Sequence, residues 1–488
     1  MHTPMQRKYT TKSGALVARR VGEESFPARL YGIFYIGGDM KKDLTQGDVT
    51  KTMLLFAYPM ILGNLLQQCY NIADTLIVGR FLGPDALAAV GSAYSLMTFL
   101  TSIIIGLCMG SGTVFSVWFG KKNHRQMKNS MAASFLFIAA VTVVITAAVF
   151  AGIDLILKLL RVPSDIYALM REYVWIIFCG IVFVFLYNYF AFLLRAVGNS
   201  VVPLCFLGVA AILNITLDIL FVVVFNKGVG GAAFATVIAQ AVSGVGIGIY
   251  VWLKEAELRP NRKELAIGKA TIFEVIRHSA AACVQQSVMN FGILMIQGLV
   301  NSFGAAVMAA FAAAVKIDSF AYMPAQEFGN AFSLFISQNY GGGKQERVQD
   351  GIRKAVKVSA AFCLAVSLII FILAPYLMRI FVDKTKTEII RTGVGYLRIE
   401  GSFYCGIGIL FLLYGYYRGV EKPEMSLILT IISLGTRVLL AYLLSPIPSI
   451  GVLGIWWAIP IGWFLADLTG ILCLKKTRGD IGRFKRRK

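Results

Sequence analysis

The sequence predicts an all-α integral membrane protein: twelve transmembrane helices in two six-helix lobes related by a pseudo-two-fold axis along the membrane normal. Three observations predict it. Of the 488 residues, 57% are hydrophobic and only 15% charged, against roughly 25% charged in soluble domains. The apolar residues gather into long uncharged runs of the length a helix needs to cross a bilayer, about 20 residues. The second half of the chain repeats the first at a nearly constant offset. A mean hydropathy of +0.70 excludes a soluble enzyme, a disordered chain and a disulfide-built secreted fold. The net charge of +21 does not point to nucleic acid. Its charges sit in short clusters between the apolar runs, as cytoplasmic loops do under the positive-inside rule.

Runs free of Asp, Glu, Lys and Arg occupy 52–73, 86–120, 129–153, 173–194, 196–217, 228–253, 279–315 and 358–378. Shorter apolar stretches follow at 401–417, 425–436 and 438–466. The run 279–315 is too long for one crossing and breaks at Asn301-Ser302-Phe303-Gly304, its second helix continuing past Lys316 to about Asn339. Arg437 interrupts the eleventh span, and 445–451, with its two prolines, separates that span from the twelfth. With the N-terminus inside, 35 Lys and Arg fall on the cytoplasmic side and ten outside; without residues 1–39 the ratio is 29 to ten. Both termini are therefore expected in the cytoplasm of a bacterial cell, the chain crossing the inner membrane.

The predicted organisation is an N-terminal extension over 1–39 and an N-lobe over 40–253. An inter-lobe loop with the start of the seventh helix follows over 254–278, then a C-lobe over 279–476 and a basic tail over 477–488. Residues 1–39 are polar and basic without periodicity, and Leu30–Ile36 is too short for a signal-peptide core. Gly37-Gly38-Asp39-Met40 reads like a translated ribosome-binding sequence and start codon, so Met40 is the expected native start. The competing reading is a disordered basic tail. The eight cysteines are scattered through apolar runs without a C-x-x-C pair. They are expected to be buried thiols, with no metal or redox role.

A shift of 221 residues sets Gly83 on Gly304, Ser116 on Ser337 and Gly120 on Gly341. A shift of 223 sets Arg195 on Arg418, Gly228 on Gly451, Gly231 on Gly454 and Ala235 on Ala458. Because each copy has an even number of spans, both enter the membrane the same way and form parallel repeats. Two such bundles facing each other can rock about a central site, which is the mechanics of a transporter. A monomer is the expected functional unit.

Charged groups at bilayer depth cost a few kcal/mol each and are functional candidates by default. In the first helix, Gln67, Asn71 and Asp74 recur at spacings of four and three and share a face. Pro59 upstream removes a backbone hydrogen bond and marks a hinge or kink. Asn214 and Asp218 share a face of the fifth helix, and Thr236 adds a hydroxyl from the sixth. A carboxylate held away from water is harder to ionise, so two of them together would share a proton or a small cation, or attract an organic cation. The plain alternative is that Asp74 caps the first helix beside Arg80. Under the two shifts Asp74 and Asp218 fall on Met295 and Ala441, so the carboxylate pair is not duplicated. The second half offers Lys316, Asp318 and Glu327, then Arg398 and Glu400 at the start of its fourth helix, and Arg437. Lys316 and Glu327 share a face but lie about 16 Å apart along the axis. Lys316, Glu327, Glu400 and Arg437 are candidates for a C-lobe cleft, and Asp467, near the end of the last helix, is expected to be structural.

The stretch from Pro59 through Asn71-Ile72-Ala73-Asp74-Thr75-Leu76-Ile77-Val78-Gly79-Arg80-Phe81-Leu82-Gly83 resembles the first-helix motif of the multidrug and toxic compound extrusion (MATE) family. Leu194-Arg195-Ala196-Val197-Gly198-Asn199 with Pro203, Asn214-Ile215-Thr216-Leu217-Asp218 and Gln338-Asn339-Tyr340-Gly341 are similar to further family motifs. The resemblance runs from about Met40 to Lys476. It implies efflux of cationic, amphiphilic compounds in exchange for entering H⁺ or Na⁺, with no other cofactor. It further implies an N-lobe coupling site, matched here by Asp74, Asn214 and Asp218, with Gln67 and Thr236 as companions. Transient Na⁺ between Asp74 and Asp218 and bending of the first helix at Pro59 belong to the same implication. Acids that some members carry in the seventh and tenth helices are replaced here by Gln285-Gln286 and an uncharged 401–417.

A lipid-linked oligosaccharide flippase of the same superfamily is the main alternative; twelve spans and paired N-lobe acids argue against it. A major facilitator transporter would carry a charged motif between helices two and three, where this chain has Phe119-Gly120-Lys121-Lys122-Asn123-His124. A membrane-embedded enzyme lacks support, because none of the three histidines stands in a metal-ligand spacing. Gly341-Gly342-Gly343-Lys344 is a turn rather than a nucleotide loop. Mass spectrometry of the native N-terminus tests the start site: a first peptide at Met40 is expected, and one from within 1–39 contradicts it.

Overall fold

The computed structural model describes residues 42–160, 162–260 and 265–485; the segment 1–39 lies outside the described residues. The fold is helical throughout, with ten helices long and apolar enough to span a membrane and two bent helix pairs that bring the number to twelve. In order the spans are Val49–Phe81, Pro84–Gly120, His124–Leu159, Ser164–Cys179 with Ile181–Ala196, and Val201–Asp218 with the π-helical turn Ile219–Val224. Gly228–Lys254 closes the first six. Lys269–Asn301, Ala305–Gly341, Gln345–Phe381, Thr387–Gly401 with Tyr404–Gly419, Pro423–Leu444 and Val452–Lys485 make up the second six. They are called the first to twelfth spans below.

Local structure repeats as the sequence does. The fourth span bends by 45° at Gly180, and the tenth by 51° at Ser402-Phe403, which are equivalent positions. Positive φ occurs at Gly83 and Gly304, Lys122 and Gly343, Gly198 and Glu421, and Gly228 and Gly451, four pairs at the same two offsets. Left-handed backbone is costly for non-glycine residues, so its conservation at Lys122 and Glu421 shows that the connection geometry, and not the residue, is what was duplicated. At Gly198 the requirement is also steric: a side chain there would drive into the Lys42 carbonyl.

Three boundaries differ from those read from hydropathy. The tenth span begins at Thr387, because Glu388, Arg391, Arg398 and Glu400 hide its first half from an apolar count. Glu400 therefore lies beside the mid-span bend rather than at a helix start. Arg418, read as a loop residue, is buried inside Tyr404–Gly419. The last helix does not stop at 476 but runs to Lys485, which places Asp467 well inside it. The cysteines are all free, yet only Cys108 and Cys363 are fully buried; Cys69 and Cys179 lie on exposed faces of their helices, where a small apolar thiol meets lipid at little cost. The first helix continues unbroken through Pro59.

Each lobe has its own aromatic core. In the C-lobe Trp456 stacks on Phe311 at 5.4 Å and meets Tyr396 edge-on at 4.9 Å. In the N-lobe Phe135, Phe185 and Tyr189 cluster, and Tyr189 donates to the Met131 carbonyl at 2.7 Å. Between lobes, water-driven association has no counterpart in lipid, so close packing of small residues and hydrogen bonds must hold the helices. Gly120 of the second span rests on the Gln338 backbone of the eighth, and Gly341 rests on Val117. These are one contact and its repeat image, and they mark the pseudo-two-fold axis.

The lobes touch at the end of the bundle that carries the chain termini. There Gly106 and Gly110 of the second span pack against Cys283 and His278-Ser279 of the seventh, and Ser111 and Ser279 hydroxyls bond at 2.8 Å. Asn339 donates to the Leu44 carbonyl at 3.0 Å, and Arg347 Nη2 to Gln46 at 2.6 Å. Fifteen residues further along the same antiparallel register, Gly91 would meet Gly298, but both have open space around them. The second and seventh spans therefore splay, leaving a cleft open at the other end. In a background without native cysteines, Ser111→Cys with Ser279→Cys is expected to cross-link on mild oxidation. Adding Gly110→Val, whose side chain meets the seventh helix, should abolish the cross-link; no cross-linking in the parent pair would contradict this packing.

Candidate functional site

Asp74 lies in the half of the first span nearer the open end, and Asp218 ends the α-helical part of the fifth. The π-helical turn that begins at Ile219 widens the backbone just after it, a deviation common at functional sites. Asp218 is fully buried. The two carboxyls lie close enough to act on each other. Asp74 is no helix cap, since the helix runs on to Phe81. Asn214 Nδ2 donates to Thr236 Oγ1 at 3.3 Å, and Thr236 in turn donates to the Ala232 carbonyl at 3.1 Å. Among the described residues, both oxygens of Asp218, Oδ1 of Asp74 and Oδ1 of Asn214 are enclosed without any donor. Four acceptor atoms are thus enclosed without a donor from the described residues.

Buried acceptors without donors are costly, and two ionised carboxyls have no proton to give each other. A proton or a small cation between them removes both penalties. Gln67 does not join this group directly: it is exposed and bonds Tyr70, whose ring lies beside Asp74. Tyr173 of the fourth span stands near both carboxyls and is buried. Neither tyrosine was legible as a site residue, because a tyrosine in an apolar helix carries no distinguishing spacing.

The four C-lobe candidates do not form one site. Lys316 is exposed, on the same face of the eighth span as Glu327 and about three turns nearer the open end. Glu327 instead crosses the lobe boundary, accepting from Asn64 of the first span at 3.0 Å and from Asn330 at 3.3 Å. Arg418 continues that chain, donating to Asn330 Oδ1 at 3.0 Å and approaching the Met109 sulfur at 3.0 Å. Glu400 and Arg437 do come together, with Asp318, around a cavity of about 120 Å³ also lined by Tyr322 and Tyr396. Tyr404 donates to Asp318 at 2.6 Å, while Glu400 Oε2 and Arg437 Nε are enclosed without partners among the described residues. This cluster draws on the eighth, tenth and eleventh spans and is not the repeat image of the first- and fifth-span pair.

The MatE family model matches residues 59–220 and 281–443. The two matched blocks start 222 residues apart and cover one lobe each. The chain belongs to the MatE family. That family comprises membrane transporters, not enzymes. Among its relatives, the "Probable multidrug resistance protein YpnP" of Bacillus subtilis is 30% identical over 80% of this chain and 87% of its own length. A solved structure described as MATE in the bent conformation superposes with a TM-score of 0.85 at 23% identity, covering 90% of this chain and 98% of that one. An outward-facing multidrug resistance MATE family transporter of the MOP superfamily gives 0.84 at 24%, covering 89% and 97%. These likenesses establish the MatE fold.

The C-lobe cluster generates a test of its charge balance. Arg437→Met leaves buried carboxyls uncompensated and should destabilise the protein by about 3–5 kcal/mol. Arg437→Met with Glu400→Gln should recover most of that loss. Thermal unfolding in detergent reads both, and equal melting of the single and double variants would contradict the pairing.

Proposed function

We propose that this chain is a cation-coupled antiporter that exports drug-like, cationic amphiphilic compounds, with H⁺ or Na⁺ entering at Asp74 and Asp218. The single observation that carries the reading is the pair of carboxyls without donors. The site takes one positive charge readily and two with difficulty. A cation arriving from the open end and a cationic substrate therefore compete for the same field, and competition is what exchange requires. Asn214 and Thr236 set the depth of the site by filling the space behind Asp218. Pro59 lies about 22 Å along the helix from Asp74, and the hydrogen bond it removes makes that turn the softest in the first span. Neutralising the carboxyls would let this span move against the rest of the N-lobe. The names of relatives support drugs as substrates, and the basic balance supports a bacterial inner-membrane location with both termini cytoplasmic. The cleft then opens outward.

Efflux of ethidium from everted vesicles under an imposed pH or Na⁺ gradient tests the proposal. Asp74→Asn and Asp218→Asn should each reduce gradient-driven efflux by at least about tenfold, the change produced by some 1.4 kcal/mol. Expression and melting should stay near wild type, because an amide supplies the donors that the site lacks. Wild-type efflux retained in both variants would overturn the assignment.

A further inference from the structure

A second concavity in the N-lobe lies at the terminus-bearing end, some twelve residues along the sixth span from Thr236, or about 18 Å. It has a volume of about 420 Å³, within the usual range of ligand pockets. Met131 and Phe135 of the third span, Phe190 and Leu193 of the fourth, Val251 of the sixth and Leu258 of the inter-lobe connection form its walls. Leu136 and Trp252, 64% and 58% exposed, stand at its lipid-facing rim. Tryptophan at this position suits the membrane–water boundary.

Among the described residues one charged side chain reaches the lining, Arg259. Its guanidinium folds back over the mouth and donates to the Trp252 and Leu253 carbonyls at the end of the sixth span. Among the described residues two of its five N–H groups are used in this way, and three are left to meet an incoming acceptor. Lys128 lies one helical turn before Met131 and Ala132, and Lys254 one turn after Val251. Both therefore sit on groove-facing sides of their helices at the same end. Glu255 and Glu257 stand in the same connection and moderate this positive rim without cancelling it. An apolar slot with a cationic mouth at interface depth repels an amphiphilic cation. It matches a lipid with an acyl chain and an anionic headgroup.

We propose that this groove binds an anionic phospholipid from the leaflet on the side of the chain termini. One acyl chain lies between the third, fourth and sixth spans, and the headgroup phosphate rests on Arg259 between Lys128 and Lys254. Because Leu258 and Arg259 belong to the inter-lobe connection, the bound lipid fastens residues 255–260 to the N-lobe. This site is separate from the carboxyl pair and does not depend on the proposed transport activity.

Native mass spectrometry of the purified full chain, titrated with dioleoyl phosphatidylglycerol or dioleoyl phosphatidylcholine, tests it. The wild type should bind the anionic lipid about tenfold tighter, the effect of one to two surface cations. Arg259→Gln should weaken phosphatidylglycerol about fivefold and phosphatidylcholine less, narrowing the preference between them. Ala132→Trp, which fills the slot, should remove both. Should Ala132→Trp fail to fold, the Arg259→Gln comparison still decides. Equal affinity of the wild type for the two lipids, an unchanged preference in Arg259→Gln, or displacement of the lipid by ethidium would each overturn the proposal.

Discussion

Everything in this molecule depends on how closely two helices approach at the pseudo-two-fold axis. Gly120 on the Gln338 backbone and Gly341 on Val117 leave no room for a side chain at either crossing. In lipid such contact must come from packing, since the surrounding acyl chains are as apolar as the helices. The second and eighth spans are thereby fixed to each other at one end only. Gly106 and Gly110 extend the contact along the seventh span, and it ends before Gly91 and Gly298. A joint that is tight at one end and open at the other is a pivot, and the cleft is its consequence.

The two lobes share connections and bends but differ in chemistry. The N-lobe concentrates unpartnered acceptors at Asp74, Asn214 and Asp218, a site of net negative charge that invites a mobile cation. The C-lobe places Arg437 among Asp318 and Glu400, so it carries a cation of its own. Between them Asn64, Glu327, Asn330 and Arg418 form a polar chain across the boundary. That chain reports on lobe separation, because its Asn64–Glu327 bond joins residues of opposite lobes. The repeat thus sets the frame, while a few polar positions differ between the lobes.

Much of this was legible in the sequence, for identifiable reasons. Uncharged runs of bilayer length gave most spans, because lipid leaves the chain no alternative to helix. The offsets of 221 and 223 gave the parallel six-helix repeat, and the paired bends and left-handed residues fall at the same offsets. Asp74 and Asp218 could be placed on helix faces by spacing alone. The tenth span was shortened because its first half carries Glu388, Arg391, Arg398 and Glu400; the first three lie on its exposed side, and a hydropathy count averages them with the buried face. That Glu327 meets the first span while Glu400 meets Arg437 was not legible, because a shared face says nothing of which neighbouring helix that face meets. Tyr70 and Tyr173 are contributions of tertiary structure, with no local pattern to announce them.

The central claim is that one negatively charged N-lobe site serves cation and substrate in turn. The most direct measurement is equilibrium binding of ethidium to the purified protein, titrated once against pH at fixed Na⁺ and once against Na⁺ at fixed pH. Apparent affinity should fall with rising activity of one of these cations, tenfold for each tenfold increase once that cation is in excess, and the dependence should vanish in Asp218→Asn. Dye affinity indifferent to both H⁺ and Na⁺ in the wild type would contradict the account.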